Sequence, residues 1–359
     1  MGAERHDLRD LGWDDGWQTA FAEHASAGRV PGRVCLEQRG SWRVLGAGGE
    51  RPASLAGRVR HAAVGRPDLP VVGDWAALTV TADDEGARIE AVLPRRSAFV
   101  RRLAGGTAEA QVLAANLDVV FLVSGLDGDY NPRRIERAVT LAWESGARPV
   151  VVLNKADLCP EVEARIAEVA GLAPGVPVHA TRGLTGDGLG IFAAELQPGV
   201  AGALLGSSGV GKSTIINRLL GRDALATATV REHDSRGRHT TTHRQLFVLP
   251  SGGLLIDTPG LREFGLWGEG SGLGATFADI DALAPECRYR DCRHADEPGC
   301  AVRQAVTDGR LDAERLASYH KLAKELAFLH RQVDQRAALE EKRRWKSIHK
   351  LAKKFKPRE

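Results

Sequence analysis

Apolar and polar residues alternate in short segments near the start of the chain, between residues 29 and 93. Alternation with a period of two predicts strands that bury one face. Strands this short, separated by Gly, Pro and Asp, are typical of a small antiparallel barrel. Before them, residues 1–28 predict one short helix at Gly16–Ala25. The predicted strands are Gly32–Gln38, Trp42–Leu45, Ala76–Val80 and Ala87–Val92.

From about residue 106 the pattern changes to continuous apolar runs that alternate with helical segments. Such runs predict strands buried on both faces, and the alternation predicts a parallel or mixed α/β sheet covered by helices on both sides. The predicted strands are Asp118–Val123, Pro149–Leu153, Val176–Ala180, Ala201–Leu205, Gln245–Leu249 and Leu254–Asp257. The predicted helices are Pro132–Ser145, Glu161–Ala170 and Thr214–Leu220.

These patterns divide the chain into four parts. An N-terminal extension covers residues 1–28, and a barrel covers residues 29–97, where Pro94–Ser97 forms a linker. An α/β domain covers residues 98–275. A C-terminal part, residues 276–359, holds a cysteine cluster and a long helical stretch at about Asp312–Phe355. The predicted fold class is therefore multidomain.

Composition agrees with a packed chain, because 43% of the 359 residues are hydrophobic and 26% are charged. The longest apolar runs have strand length, whereas a membrane span needs about 20 apolar residues. Residues 1–10 are charged and lack the apolar core of a signal peptide. We therefore expect a cytoplasmic protein that makes no membrane contact.

Charge is concentrated at the C-terminus. Residues 342–359 carry nine Lys and Arg and one Glu, a net charge of +8, whereas the whole chain carries +3. An apolar stripe of Trp345, Ile348, Leu351 and Phe355 runs through this tail. The tail therefore fits an amphipathic helix that packs on its own domain, a helix that contacts RNA phosphates, or both. A helix lying on a membrane surface fits the pattern too, but nothing else in the sequence supports it.

A phosphate-binding loop follows the strand at Ala201–Leu205 and precedes an apolar helix, which is the context that the motif G-x-x-x-x-G-K-[ST] requires. Its backbone N–H groups would surround phosphates, Lys212 would reach the β and γ phosphates, and Ser213 would ligate Mg²⁺. A glycine-rich turn with an exposed lysine is the alternative without a ligand. The motif and the residue after it are Gly206, Ser207, Ser208, Gly209, Val210, Gly211, Lys212, Ser213 and Thr214.

Two further segments fit the same site. Asp257 ends the strand at Leu254–Asp257, and an Asp there holds Mg²⁺ through water while the Gly260 N–H meets the γ-phosphate. Between the two motifs, residues 237–242 form a polar segment in which one of three threonines would complete the Mg²⁺ shell. A solvated loop is the alternative for that segment.

A base-selecting segment, Asn154, Lys155, Ala156 and Asp157, follows the strand at Pro149–Leu153. An Asp carboxylate accepts hydrogen bonds from guanine N1–H and the 2-amino group. Adenine lacks both donors there, so a carboxylate facing adenine would stay unpaired at a cost of about 1–3 kcal/mol. The segment therefore favours GTP over ATP.

The order of the motifs is unusual, because the base-selecting segment precedes the phosphate loop. A sheet can be cut in one loop and joined at its old termini without losing its contacts. We therefore predict a circularly permuted GTPase domain. In this order the segment after Asp257 leads directly into the C-terminal part, which suggests that loss of γ-phosphate contacts is transmitted there. Unchanged hydrogen exchange of residues 261–300 between GDP and a GTP analogue would contradict that hypothesis.

A metal cluster lies in the C-terminal part, where three of the five cysteines fall within 14 residues. Three thiolates and one imidazole with no open position predict a structural Zn²⁺, and an iron–sulfur site is the minor alternative. Buried cysteines beside a surface histidine would explain the pattern without a metal. Cys35 and Cys159 are predicted to be ordinary cysteines. The ligand candidates are Cys287, Cys292, His294 and Cys300.

Taken together, these motifs resemble the small-ribosomal-subunit-dependent GTPase A family, also called RsgA or YjeQ. The resemblance covers about residues 30–320 and rests on NKAD before GSSGVGKST, then GRHTTT, DTPG and CRYRDCRHADEPGC. It implies an N-terminal OB-fold, a permuted GTPase and a zinc domain. It also implies GTP hydrolysis coupled to late maturation of the 30S subunit, with binding to 16S rRNA and release after hydrolysis. We expect a monomer.

Two positions depart from common GTPase patterns. His179-Ala180 stands where Ser-Ala is usual in the loop that contacts guanine, and Leu261 stands where many GTPases carry a glutamine that orients water. Because leucine cannot orient water, we expect slow intrinsic turnover that the small subunit stimulates. Lys212 and His239 are the predicted catalytic residues, and His239 would position the water.

Three other functions remain open at this point. A nucleotide-gated RNA-binding module without turnover is compatible with Leu261, and measurable phosphate release would exclude it. A P-loop ATPase or kinase conflicts with the base-selecting segment, and nucleotide competition would decide between them. A zinc-finger DNA regulator lacks a separate recognition helix, and a preference for duplex DNA over ribosomal RNA would favour it.

Overall fold

A computed structural model describes residues 6–327, apart from residues 39, 64, 82–85, 103–109, 129, 226–243 and 258–270. Three predictions fall outside the described residues. They are the polar segment with His239 and Thr240–Thr242, the segment with Gly260 and Leu261, and the basic tail. Within the described parts, no helix is long and apolar enough to span a bilayer.

Five strands form the predicted N-terminal barrel. They pair in the order β1-β2-β3-β5-β4, and β4 pairs with β1 to close the ring. The sequence pattern missed β3, because its Gly-Glu-Arg-Pro run shows no apolar alternation. The strands are β1 (Val30–Gln38), β2 (Ser41–Gly46), β3 (Gly49–Leu55), β4 (Trp75–Val80) and β5 (Ala87–Val92).

Helix α1 (Asp15–Ser26) packs on this barrel, close to its predicted bounds. Asp14 caps it by accepting a hydrogen bond from the Trp17 N–H. Trp17 and Phe21 are buried in the same core cluster as Trp75 of β4. The polar sequence before the barrel therefore contains a helix that buries one aromatic face. A short helix, α2 (Gly57–Ala62), follows β3.

A two-stranded hairpin lies between the barrel and the α/β domain in the sequence. It consists of β6 (Ala98–Arg102) and β7 (Ala110–Ala115). Neither strand was predicted from the sequence. Asn116 follows β7 directly. Its side chain accepts a hydrogen bond from the Arg96 N–H and donates one to the Gly73 carbonyl. This side chain ties the hairpin to the barrel.

Six strands form the α/β sheet in the order β10-β9-β8-β11-β13-β12. All neighbours are parallel except β12 and β13, so the predicted mixed sheet is confirmed. Because the parallel strands share one direction, their carboxyl ends meet at one edge. The strands are β8 (Val119–Gly125), β9 (Arg148–Asn154), β10 (Val178–Thr181), β11 (Ala201–Leu205), β12 (Arg244–Val248) and β13 (Leu254–Asp257).

Helices cover both faces of this sheet. The helices are α3 (Pro132–Glu144), α4 (Val162–Leu172), α5 (Gly190–Glu195) and α6 (Lys212–Leu220). One core cluster joins residues of α3 and α4 to one face of the sheet, and a second cluster joins residues of α5 and α6 to the other face. Helix α5 was not predicted.

The barrel and the α/β sheet are joined edge to edge, which the sequence did not indicate. Strand β1 pairs antiparallel with β12, with Leu36 opposite Gln245 and Glu37 opposite Arg244. The Arg244 guanidinium also forms an ion pair with Glu37 at 3.1 Å. The eleven strands therefore form one hydrogen-bonded sheet.

The C-terminal part consists of short helices and one longer helix, α10, over residues 313–327. Helix α10 is the described portion of the predicted stretch at 312–355. It is anchored by Arg315, whose guanidinium is buried and donates to Asp279, Glu136 and two backbone carbonyls. Since Glu136 lies on α3, this part packs directly on the α/β domain. The short helices are α7 (Ser271–Thr276), α8 (Ala278–Leu283) and α9 (Ala301–Thr307).

Candidate nucleotide site and metal centre

The predicted phosphate loop connects β11 to α6 at the carboxyl edge of the sheet. Gly206 has φ 156° and Gly211 has φ 98°, in the region that favours glycine. A Cβ on Gly206 would overlap the Val123 carbonyl oxygen, and one on Gly211 would overlap the Asn154 amide. Val210 is buried and anchors the loop, whereas Ser208 and Gly209 are exposed. The loop therefore needs its glycines for its shape and presents its tip to solvent.

Lys212 is the first residue of α6 and its side chain folds back over the loop. Its Nζ donates to the carbonyl oxygens of Gly206 and Ser207, each at 2.6 Å. Ser213 and Thr214 follow in the first helical turn, whose backbone N–H groups have no helical acceptors of their own. A cation and several N–H donors thus converge on one loop, which is the arrangement an anionic ligand requires.

Asp257 is the last residue of β13, which lies beside β11 in the sheet. Burial raises the pKa of Asp257 to about 6, and the positive charge of Lys212 acts in the opposite direction. The carboxyl therefore lies near the phosphate loop in surroundings that disfavour its charge unless a cation is present.

This raised pKa predicts a stability effect. The folded chain binds the Asp257 proton more tightly than the unfolded chain, so ionising the carboxyl lowers stability as the pH rises from about 4 to about 6. We expect Asp257→Asn to raise the free energy of unfolding of the nucleotide-free protein by about 2–3 kcal/mol at pH 7, with no gain near pH 4. Chemical denaturation of both proteins at both pH values measures this. An equal gain at the two pH values would mean that the charge is not the cause.

Asn154, the last residue of β9, contacts the phosphate loop, the end of β10 and the loop after β10. Its Nδ2 donates to the Val210 carbonyl of the phosphate loop at 2.8 Å. Its Oδ1 accepts from the Thr181 hydroxyl at 3.0 Å and from the Gly183 N–H at 2.9 Å. Its polar atoms are buried and satisfied within the protein. The geometry thus makes Asn154 a brace that fixes the phosphate loop relative to the base-selecting segment.

Lys155, Ala156 and Asp157 follow at the same edge. Lys155 has φ 61°, and its ammonium forms an ion pair with Asp127. Ala156 and Asp157 lie in a 3₁₀ turn at Ala156–Leu158, where the Asp157 side chain is exposed. Asp127 was not predicted from the sequence. An acidic residue shortly after the neighbouring strand β8 was the only signal for it.

One sequence-based placement was wrong. His179 and Ala180 were expected in the loop that contacts the base, but both lie inside β10, opposite Val152 and Leu153 of β9. The loop begins after Thr181. In that loop, the Gly183 N–H donates to the Asn154 side chain at 2.9 Å.

The four metal-ligand candidates converge. Their ligand atoms lie within 4.8 Å of one another. The Nδ1 atom of His294 lies 3.6 Å from the sulfur of Cys287 and 3.5 Å from that of Cys300, and these two sulfurs are 3.9 Å apart. In a tetrahedral site with metal–sulfur bonds of about 2.3 Å, ligand atoms stand about 3.8 Å apart. Cys287, Cys292, His294 and Cys300 therefore fit one structural metal ion.

The backbone around this cluster holds its shape. His294 has φ 59°, and its carbonyl oxygen contacts the Nε2 of His320 in α10 at 3.1 Å. Glu297 accepts hydrogen bonds from the N–H groups of Arg293 and Ala295. Cys300 also caps α9 by accepting from the Arg303 N–H. The cluster thus links its own loop to two helices of the C-terminal part.

Comparison with known proteins agrees with this geometry. The RsgA GTPase family model matches residues 92–267. The small ribosomal subunit biogenesis GTPase RsgA of Opitutus terrae is 49% identical over 351 residues, covering 95% of this chain and 96% of that protein. The chain belongs to the RsgA GTPase family. The RsgA of Syntrophotalea carbinolica is 45% identical over 356 residues, covering 97% of each chain.

Solved structures agree with this assignment. YjeQ from Thermotoga maritima has a TM-score of 0.63 and 27% identity, covering 83% of this chain and 99% of that one. YloQ, described as a circularly permuted GTPase, has a TM-score of 0.61 at 23% identity and covers 83% and 95%. The RsgA family assignment makes this chain a GTP hydrolase that takes GTP with Mg²⁺, and the predicted permutation and fold class are confirmed.

Proposed function

We propose that GTP binds along the carboxyl edge of the α/β sheet. Asp157 would accept hydrogen bonds from the guanine base, and Lys155 would pack beside it. Asn154, through its bond to Val210, would hold the base site and the phosphate loop in one frame. The residues from Gly206 to Thr214 would enclose the phosphates. The observation that carries this proposal is Asn154, since one buried side chain bridges the two predicted binding segments.

The residues at this edge also fit Mg²⁺, with Ser213 in the first turn of α6 and Asp257 at the end of β13. A threonine among residues 240–242 would complete the set. Bound with GTP, Mg²⁺ supplies positive charge at the β and γ phosphates. The raised pKa of Asp257 supports its part, because a bound cation would stabilise the carboxylate that burial disfavours.

In hydrolysis, water attacks the γ-phosphorus, the bond to the β-phosphate oxygen breaks, and GDP and phosphate leave. Lys212 would move from its two carbonyl partners to the phosphates, where it stabilises the developing negative charge. The Gly260 N–H would meet the γ-phosphate. We propose His239 as the residue that positions the water, since Leu261 stands where a glutamine would act.

We propose Zn²⁺ for the metal centre. Three thiolates and an imidazole are the ligands that structural zinc prefers, and the sulfur–sulfur and sulfur–nitrogen separations fit its tetrahedron. The ion would hold the loop between α8 and α9 in place. We also propose the predicted division of the chain into four parts, with boundaries after residues 28, 97 and 275.

We further propose that this GTPase acts in late maturation of the small ribosomal subunit in the cytoplasm. It would bind the 30S subunit and 16S rRNA as a monomer and leave after hydrolysis. The names of its relatives support the subunit as partner. The five-stranded barrel, a fold that often binds nucleic acid, and the basic tail support contact with RNA.

Phosphate release in the presence of purified ribosomal particles tests this function. We expect slow GTP hydrolysis by the protein alone and at least about tenfold stimulation by small subunits only. Equal stimulation by large subunits, or none by small subunits, would contradict the proposed partner. In the same assay, His239→Ala should lose most of the stimulation, and intact stimulation would remove His239 from the mechanism.

A further inference from the structure

Ser207, the second residue of the phosphate loop, lies between two cations. The Lys212 ammonium donates to its carbonyl oxygen at 2.6 Å. From the other side of the loop, the Arg134 guanidinium donates to its hydroxyl, also at 2.6 Å. Arg134 belongs to α3 and is 73 residues away in the sequence. Two elements therefore hold one loop residue through different atoms.

The backbone of Arg134 is fixed although its side chain is exposed. Its N–H donates to the Asn131 side chain, which caps α3, at 3.0 Å. The next two residues, Ile135 and Glu136, are buried. Glu136 accepts a hydrogen bond from Arg315 of α10 at 2.8 Å. The backbone from which the guanidinium extends is therefore fixed in the fold.

The two cations differ in what GTP does to them. Lys212 leaves the carbonyl oxygens of Gly206 and Ser207 when it moves to the phosphates. The loop then loses two of its internal bonds at the moment when its N–H groups must point inward. Arg134 holds the hydroxyl of Ser207 and not the carbonyl oxygens that Lys212 leaves. Its bond is therefore compatible with both the free and the loaded loop.

We propose that Arg134 is a positioning residue for GTP binding, which keeps the phosphate loop in its binding shape through Ser207. This inference rests on the proposed phosphate site. Donors that are already oriented bind without reorganising, so the loss of Arg134 lowers affinity for the phosphates. Because the loop contacts the phosphates both before and during transfer, the loss falls on KM and spares kcat.

Steady-state GTP hydrolysis by full-length variants tests this. We expect Arg134→Ala and Ser207→Ala each to raise KM about tenfold, the usual effect of a charge-assisted hydrogen bond, with kcat within about twofold of the parent. The KM of the double variant should be no higher than that of the more affected single variant, because each single substitution removes the same Arg134–Ser207 hydrogen bond. Arg134→Lys, which keeps a donor, should stay within about threefold. Affinity for a fluorescent GDP should fall in parallel.

Two reference variants separate the possible failures. Arg148→Gln removes an exposed arginine at the opposite end of β9 and should match the parent in KM and kcat. Lys212→Ala should lose nearly all turnover, and if it does not, the proposed site itself is wrong. If Lys212→Ala loses its turnover as expected but Arg134→Ala has the KM and kcat of the parent, only the role of Arg134 is wrong. That role would also be wrong if the rise in KM of the double variant equalled the product of the two single rises, or if Arg134→Ala lowered kcat at an unchanged KM.

Discussion

Asp157→Asn is expected to exchange the base preference of this GTPase from guanine to xanthine. The carboxylate accepts from two guanine donors, N1–H and the 2-amino group. Asparagine offers one acceptor and one donor, which match the N1–H and the 2-carbonyl of xanthine. We expect GTP affinity to fall at least about 100-fold and XTP affinity to rise by a similar factor. Competition of both nucleotides against fluorescent GDP or XDP measures the exchange.

A matched carboxylate change controls this experiment. Asp10→Asn alters an exposed acid in the N-terminal segment, where we place no nucleotide contact, and should leave GTP and XTP affinities as they were. The Asp157 side chain is exposed in the 3₁₀ turn, so its replacement should not unfold the domain. If Asp157→Asn bound GTP as well as the parent does, Asp157 would not be the residue that reads the base.

Cys300→Ser is expected to release the metal ion and unfold the surrounding loop. Cys300 is buried, contributes a ligand atom and caps α9, so one substitution removes a metal bond and weakens a helix start. Structural zinc contributes folding free energy directly, at about 10 kcal/mol in small domains. We expect bound zinc to fall from one equivalent to below about 0.1. Trypsin should then cut after Arg288, Arg290 or Arg293 faster than in the parent, because loss of the ion would loosen their loop.

Cys159→Ser is the control for this variant. Cys159 lies outside the cluster, next to the base-selecting turn, and should keep one equivalent of zinc. Elemental analysis of the purified proteins gives the identity of the ion as well as its amount. Iron instead of zinc in the parent, or a full equivalent of zinc in Cys300→Ser, would contradict the proposed centre.

The strands of the α/β sheet were predicted well because burial on both faces leaves an unbroken apolar signal. Ala201–Leu205 and Leu254–Asp257 have the predicted bounds. Strand β3 was missed for the opposite reason, since Gly49–Leu55 includes Glu50, Arg51 and Pro52 and gains its order from pairing with β2 and β5. The hairpin β6–β7 is a similar case.

The candidate site shows the same division. The phosphate loop, the base-selecting segment and the metal ligands could be predicted because their chemistry restricts residue type and spacing. Asp127, Arg134 and Arg315 could not, because each acts on a partner 28 to 179 residues away. No local pattern marks such pairs. They depend on α3 and its neighbours meeting in the folded sheet.

Helix α3 now connects the two candidate sites. Arg134 contacts the phosphate loop, and Glu136, two residues later, contacts Arg315 in the C-terminal part. Glu136 also accepts a bond from Ser318, and its carboxylate is fully buried. Removing Arg315 would leave that buried charge with the longer ion pair to Arg133, at 3.4 Å, which is costly in a protein interior. The metal-binding part and the nucleotide site therefore share one rigid helix.

The central claim is that this chain hydrolyses GTP at the phosphate loop of residues 206–213. Single-turnover hydrolysis by the parent and by Lys212→Ala, each in excess over GTP and mixed with small ribosomal subunits, tests it most directly. We predict phosphate release by the parent and a loss of at least about 100-fold in Lys212→Ala. Equal rates in the two proteins would contradict the claim, because the hydrolysis would then come from another site or another protein.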